Sequence, residues 1–215
     1  EALDNYSSAL RAQMNPHFIF NSLNSIQYLV FQKDTEKALK YITKFSRLMR
    51  GTMEDSINKS ITLDEEIKLL KTYLEIESLR FDDAFSYTIN LEDSTDPKEI
   101  EIPSFLIQPF VENAIIHGLH HKKTNDKKIS ISFKDFPDRL VCTIEDNGIG
   151  RQAAQTLQKH EVKKKNKSRA LTLTQNRLKA MQKQTSFDNV IIIEDLYNEQ
   201  KEPLGTRVTV TIPKN

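Results

Sequence analysis

Near residue 80 of this 215-residue chain the repeat distance of the apolar residues changes, and that change divides it into two kinds of structure. Up to that point the apolar positions recur every three or four residues, as on one face of a helix. Beyond residue 85, runs that recur every second residue appear, as on a strand with one buried face, with helical stretches between them. Ile19, Leu23, Ile26 and Val30 form a first helical stripe, and Leu39, Ile42, Phe45 and Met49 a second. Asp34 and Thr35 offer capping oxygens between them, and Gly51 stands where a helix C-cap is expected. Two such helices joined by a short turn predict an antiparallel hairpin. Alone it buries little, so either a second copy completes a four-helix bundle or the hairpin caps the rest of the chain.

Residues 52–61 are polar and without period, and the domain boundary is expected there, with residues 1–57 as the hairpin and 58–215 as a second domain. Thr62-Leu63-Asp64-Glu65 has the form of a capping box, opening a third helix with Ile67, Leu70 and Leu74 on one face and an end near Arg80. Alternating runs follow around Phe85–Leu91, Ile129–Phe133, Leu140–Ile144, Val190–Ile193 and Val208–Ile212, with helical stretches at about 104–119 and 170–183. The pattern predicts an α+β chain: a helical hairpin followed by an α/β sandwich, a sheet with helices on one face.

Charge narrows the function. The 31 basic and 30 acidic side chains nearly cancel, so no global field recruits nucleic acid or an anionic membrane, and no direct nucleic-acid partner is expected. Cys142, the one cysteine, falls in an alternating run and is expected as a small buried hydrophobe in a reducing compartment. No segment approaches the roughly 18 to 20 apolar residues of a bilayer span. Membrane contact is therefore expected only through a segment outside this chain. Lys159 to Arg169 holds six cations and Glu161, and reads as a solvated loop or a phosphate-facing lid.

Three short segments carry chemistry. In Gln13-Met-Asn-Pro-His17-Phe-Ile-Phe-Asn21, Pro16 is suited to the first turn of a helix and Asn15 to its cap, although a kinked continuous helix also fits. Asn21 lies one turn beyond His17 on the same face. An imidazole is neutral near pH 7 and needs no deprotonation to act as a nucleophile, so a helical His17 is a reasonable phosphoryl acceptor. In Pro109-Phe-Val-Glu112-Asn113-Ala-Ile-Ile-His117-Gly118, a carboxylate and an amide oxygen offer hard ligands suited to Mg²⁺, and His117 a donor for a phosphate chain. In Ile144-Glu145-Asp146-Asn147-Gly148-Ile149-Gly150, the glycines allow close backbone approach. Asp146, at the end of a strand, can accept from an amino group such as that of adenine. Gly205-Thr206-Arg207 before the last strand is a weaker signal.

The order of these segments resembles the LytS/YehU-like sensor histidine kinases, whose ATP-binding domain belongs to the GHKL superfamily shared with gyrase, a heat-shock chaperone and mismatch-repair ATPases. The segment around His17 is the most specific part of the resemblance; residues 109–118 match the superfamily's N box and 146–150 its G1 box. The resemblance implies a two-component kinase core in which His17 is autophosphorylated from ATP and passes the phosphoryl group to an aspartate of a response regulator. Asn21 would position water when that phosphate is removed. Glu112 and Asn113 would hold Mg²⁺ and the phosphates with His117 nearby, Asp146 would receive the adenine amine, and Gly148, Gly150 and Thr206 would shape that side of the pocket. Residues 1–57 would form a homodimer. The chain would be the cytoplasmic portion of an inner-membrane-anchored bacterial sensor.

Departures from the family pattern point to a second reading. The G2 box normally holds a Gly-x-Gly-Leu turn followed by Asn, whereas this chain has Ser168-Arg169-Ala170-Leu171-Thr172-Leu173, and Ile116 stands where many relatives carry Lys. The lysines at 163–167 could replace that cation. A degenerate kinase that dimerises and docks a regulator with weak or no ATP turnover is the alternative.

Overall fold

The structure, a computed structural model, describes residues 16–55, 58, 60–81, 85–92, 95–160, 174, 176 and 190–214. In chain order the elements are α1 (Pro16–Phe31), α2 (Thr35–Asp55), β1 (Ser60–Thr62), α3 (Leu63–Arg80), β2 (Phe85–Leu91), β3 (Glu101–Pro103), α4 (Gln108–Asn113), a π-helical turn (Ala114–Leu119), β4 (Lys127–Asp135), β5 (Arg139–Asp146), α5 (Gly150–His160), β6 (Ile191–Tyr197) and β7 (Pro203–Pro213). They fall into two compact units, Glu1–Asp83 with Pro97–Phe105 and Ala84–Asp96 with Leu106–Asn215.

In the first unit the expected hairpin forms. Helix α1 ends in a Schellman motif. Lys33 takes the left-handed conformation (φ 61°), its N–H bonds Val30 O at 3.0 Å, and Asp34 N–H bonds Leu29 O at 3.0 Å. Asp34 then caps α2, accepting from Lys37 N–H at 3.1 Å. Gly51, however, does not end the second helix. Helix α2 runs on to Asp55, and a Cβ on Gly51 would come within 2.6 Å of Leu69 Cδ2 of α3. That glycine serves close helix approach rather than termination. The capping box is present as expected, with Thr62 Oγ1 accepting from Glu65 N–H at 3.2 Å and Glu65 Oε2 from Thr62 N–H at 2.8 Å.

The hairpin buries a different face from the expected stripes. Phe18, Ser22, Ala38, Tyr41, Leu48 and Thr52 are buried, and the Phe18 ring lies 5.2 Å from that of Tyr73 on α3. Leu23, Val30, Leu39 and Ile42 stay exposed. The reason is α3, which the boundary expected near residue 57 assigns to the other domain. It packs within the helical unit, which also holds the antiparallel ribbon of β1 and β3, and takes the hairpin's flank.

The second unit is one five-stranded sheet in the order β2-β4-β5-β7-β6, with β2 parallel to β4 and the other pairs antiparallel. All five alternating runs are strands. Register aligns Phe133, Cys142, Val210 and Ile191 across four of them, and Phe133, Cys142 and Val210 are fully buried. The helix expected from residue 104 starts later, at Gln108. Residues 101–103 pair as a strand, and Phe105 sits at φ 58°, outside the helical region. Helix α5 is not expected from the sequence, where its residues read as a turn running into the basic loop. Arg151 near its start forms a two-pronged bond to Asp195 of β6, both contacts 2.8 Å. Of the helix expected at 170–183 only Thr174 and Asn176 are described, both helical; the G2 stretch 168–173 and the lysines at 163–167 lie outside the described residues.

Candidate functional site: a buried carboxylate in a glycine cradle

Asp146 is the last residue of β5, opposite Ile129 on β4 and Thr206 on β7. Strand alternation turns its side chain to the core face, where it is only 4% exposed. One carboxylate oxygen, Oδ1, accepts from Gly148 N–H at 2.8 Å, and the backbone of Thr206 supplies a further bond. Burial pushes its pKa up from 3.8 to about 6, opposed by these two donors; Glu145 adds repulsion and Lys122 relieves some of it. A carboxylate held this way can accept from a ligand amine without losing its place.

Three glycines close around it. A Cβ on Gly205 would lie 1.8 Å from Asp146 O, one on Gly148 would lie 2.4 Å from the backbone of Gly118, and one on Gly118 would lie 2.6 Å from Asp146 Oδ1. Gly205 also holds φ 136°, a conformation open to glycine. Asn147 pins the turn from the other side: its Nδ2 donates to Asp126 O at 2.7 Å and its Oδ1 accepts from Lys128 N–H at 2.8 Å. Gly150 turns the chain at φ 75° into α5.

The helix that ends at this cradle carries the second motif. Glu112 is buried and its Oε1 accepts from Gln108 Nε2 at 3.0 Å, so part of its charge is already engaged within the helix. Asn113 Nδ2 donates to Pro109 O at 2.6 Å, which fixes the amide and leaves Oδ1 as the atom available to a cation. After Asn113 the winding loosens to π, marked by the i→i+5 bond from His120 N–H to Ile115 O at 2.8 Å. His117 is half-buried in that turn. The structure therefore gathers Asp146, Gly148, Thr206 and the end of the 109–118 helix. His17 and Asn21 belong to the helical unit, as the second and sixth residues of α1. Asn21 is half-buried, and the side chain of His17 lies outside the described residues.

A separate cavity of about 310 Å³ opens beside Gly150, between Arg151, Gln152 and Thr156 of α5 and Asp195 and Tyr197 of β6. Gly150 is the one expected site residue on its wall, so it is not the Asp146 pocket. Sequence reasoning gave no role to Gly118 or to the backbone of Gly205. The available signal was a glycine inside a helical run, where it costs stability unless space demands it.

Two family matches cover most of the chain. Residues 6–85 match the family described as histidine kinase, and residues 101–215, over half of the chain, match the histidine kinase-, DNA gyrase B-, and HSP90-like ATPases. Sensor protein LytS of Staphylococcus haemolyticus is 39% identical over 142 residues, 66% of this chain and 24% of that protein. Sensor histidine kinase/phosphatase LytS of Staphylococcus aureus is 37% identical over 143 residues, again 66% and 24%. The chain thus spans about a quarter of the length of these curated relatives. Among solved structures, the histidine kinase domain of a blue-light-activated histidine kinase from Erythrobacter litoralis aligns with 97% of this chain and 92% of its own, at 12% identity and a TM-score of 0.46. With a buried strand-end carboxylate, its glycine cradle and the Glu112-Asn113 helix in one sheet unit, this chain belongs to the family of histidine kinase-, DNA gyrase B-, and HSP90-like ATPases.

Proposed function

We propose that the chain is the catalytic core of a two-component sensor histidine kinase, using ATP to phosphorylate His17 and passing the phosphoryl group to an aspartate of a response regulator. The observation that carries this reading is the Asp146 cradle, a buried acceptor at a strand end held by close-packed glycine backbone. Asp146 would accept the adenine amine, and Thr206, Gly148 and Gly150 would wall that end. Among the described residues no three His, Cys, Asp or Glu side chains converge on a metal position. Mg²⁺ would be held by Asn113 and Glu112, whose amide and carboxylate oxygens are hard ligands, with phosphate oxygens and water completing its shell. The bound nucleotide supplies the γ-phosphoryl group. An imidazole nitrogen of His17 forms the new N–P bond as the bond to the ADP oxygen breaks, and the ring loses its proton. Positioning and charge neutralisation lower the barrier. Asn21, one turn on, would orient water for a separate reaction, hydrolysis of the phosphate from the regulator's aspartate.

Pairing of two copies through residues 1–57 is supported by the hairpin's exposed apolar positions, Leu23, Val30, Leu39 and Ile42, which α3 leaves uncovered. The catalytic domain expected at 58–215 would draw its nucleotide pocket from the sheet unit alone, because α3 and the β1–β3 ribbon lie in the helical unit. The same reading makes the chain part of a sensor, as the staphylococcal relatives are named, anchored at the bacterial inner membrane by a segment outside this chain; no described helix is long and apolar enough to cross a membrane. Incubation with labelled ATP tests the proposal. Acid-labile, base-stable label is expected on the wild type and none on His17→Gln, with nucleotide binding unchanged. Label that survives in His17→Gln would move the acceptor elsewhere. Regulator binding without any label would favour the docking-module reading, which the altered residues at 168–173 support.

A further inference from the structure

Resting on the nucleotide-pocket reading, we infer that Gly118 is the positioning residue that sets where the Asp146 carboxylate points, and so the preference of the pocket for a 6-amino over a 6-oxo purine. The inference starts from a misplaced glycine. Gly118 lies in a helical turn with φ in the ordinary range, where nothing in its conformation calls for glycine and an alanine would favour the helix. What it provides is room. A Cβ there would stand 2.6 Å from Asp146 Oδ1, closer than real contacts allow, and a tight 3.1 Å from its Cγ.

The carboxylate has little freedom to yield. Oδ1 is the atom that accepts from Gly148 N–H at 2.8 Å, and Gly148 in turn rests on the backbone of Gly118, so close that its own Cβ would be 2.4 Å away. Ile149 N–H bonds Gly118 O at 3.3 Å and closes the ring of contacts. The π winding carries the Gly118 backbone to this point, its carbonyl leaving the helix ladder to bond the turn after β5. A methyl group at 118 must therefore turn the carboxylate away from Gly148 and from any base in front of it. An adenine offers its amino group to that carboxylate. A hypoxanthine offers a carbonyl oxygen, which an ionised acceptor repels. The orientation of one carboxylate thus decides between them.

The test uses the full chain and two nucleotides, ATP and its 6-oxo analogue ITP, in titration calorimetry with Mg²⁺. Gly118→Ala should weaken ATP by about tenfold or more, the value of one charge-assisted bond, and leave ITP within about twofold. The ATP/ITP preference then collapses. Equal losses for both nucleotides, or an unchanged ATP affinity, would overturn the inference. Thermal melting supplies a second readout that needs no ligand. Asp146→Ala removes the atoms that the methyl group would meet, so Gly118→Ala should lower the melting temperature in the wild-type background and not in the Asp146→Ala background. Equal losses in both backgrounds would show that Gly118 does not act through Asp146. If the wild type binds neither nucleotide, the pocket reading fails, and the melting cycle still decides the contact.

Discussion

Replacing Asp146 by Asn should make the nucleotide-free protein more stable at neutral pH while disabling its pocket. The carboxylate is buried, and its pKa rises from 3.8 to about 6. Between those values the folded chain holds a proton that the unfolded chain has released. Stability therefore falls as pH rises through that window and levels off above it. At about 1.4 kcal/mol per unit, the ionised group costs the fold about 3 kcal/mol at pH 7. Asparagine keeps an oxygen for the Gly148 N–H and carries no charge, but its NH₂ must find a place and its bonds are weaker. A net gain of about 1–3 kcal/mol is expected. Urea denaturation of both proteins at pH 4.5, 6 and 7.5, without nucleotide, measures the difference, which should shrink towards the acid end. ATP affinity should drop in the same variant. A difference that is absent, independent of pH, or larger in acid would refute the burial argument.

Two further substitutions probe the helical unit. Gly51→Ala sets about 1 kcal/mol of helix propensity against a packing clash of about 1–3 kcal/mol with Leu69. It should lower the melting temperature in the wild type and raise it in a Leu69→Ala background. Thr62→Ala should cost about 1 kcal/mol in chemical denaturation, and adding Glu65→Ala should cost little more, because both side chains serve one capping box.

What can be read in advance is local. Each strand of the five-stranded sheet shows in its own alternation, the capping box in four consecutive residues, and the cap of α2 in Asp34. What cannot be read depends on residues distant in the chain. Gly51 resembles a helix stop until Leu69 is seen beside it, and the hairpin's inner face depends on where α3 packs. In the site the motif residues Asp146, Gly148 and Thr206 are legible singly, and register between β5 and β7 brings two of them together. The role of Gly118 needs the turn after β5 folded back onto it. Helix α5 escapes the sequence because a pair that anchors it, Arg151 with Asp195, spans 44 positions.

The path of the chain between the two units has a consequence for how such proteins can be recombined. It leaves the helical unit after Asp83, returns at Pro97 and leaves again after Phe105. A single cut therefore cannot separate them. Cutting before residue 84 leaves the sheet carrying Ile100 and Ile102, buried in the ribbon with β1, without their cover. Cutting after residue 105 strips β2 from β4 and exposes a new sheet edge, an invitation to aggregation. A chimera that grafts this sheet unit onto another helical unit needs three junctions, near 83, 96 and 105, with residues up to 83 and residues 97–105 supplied by the helical parent. Exchange by one crossover should succeed only where the junction falls outside both units, so that they travel together.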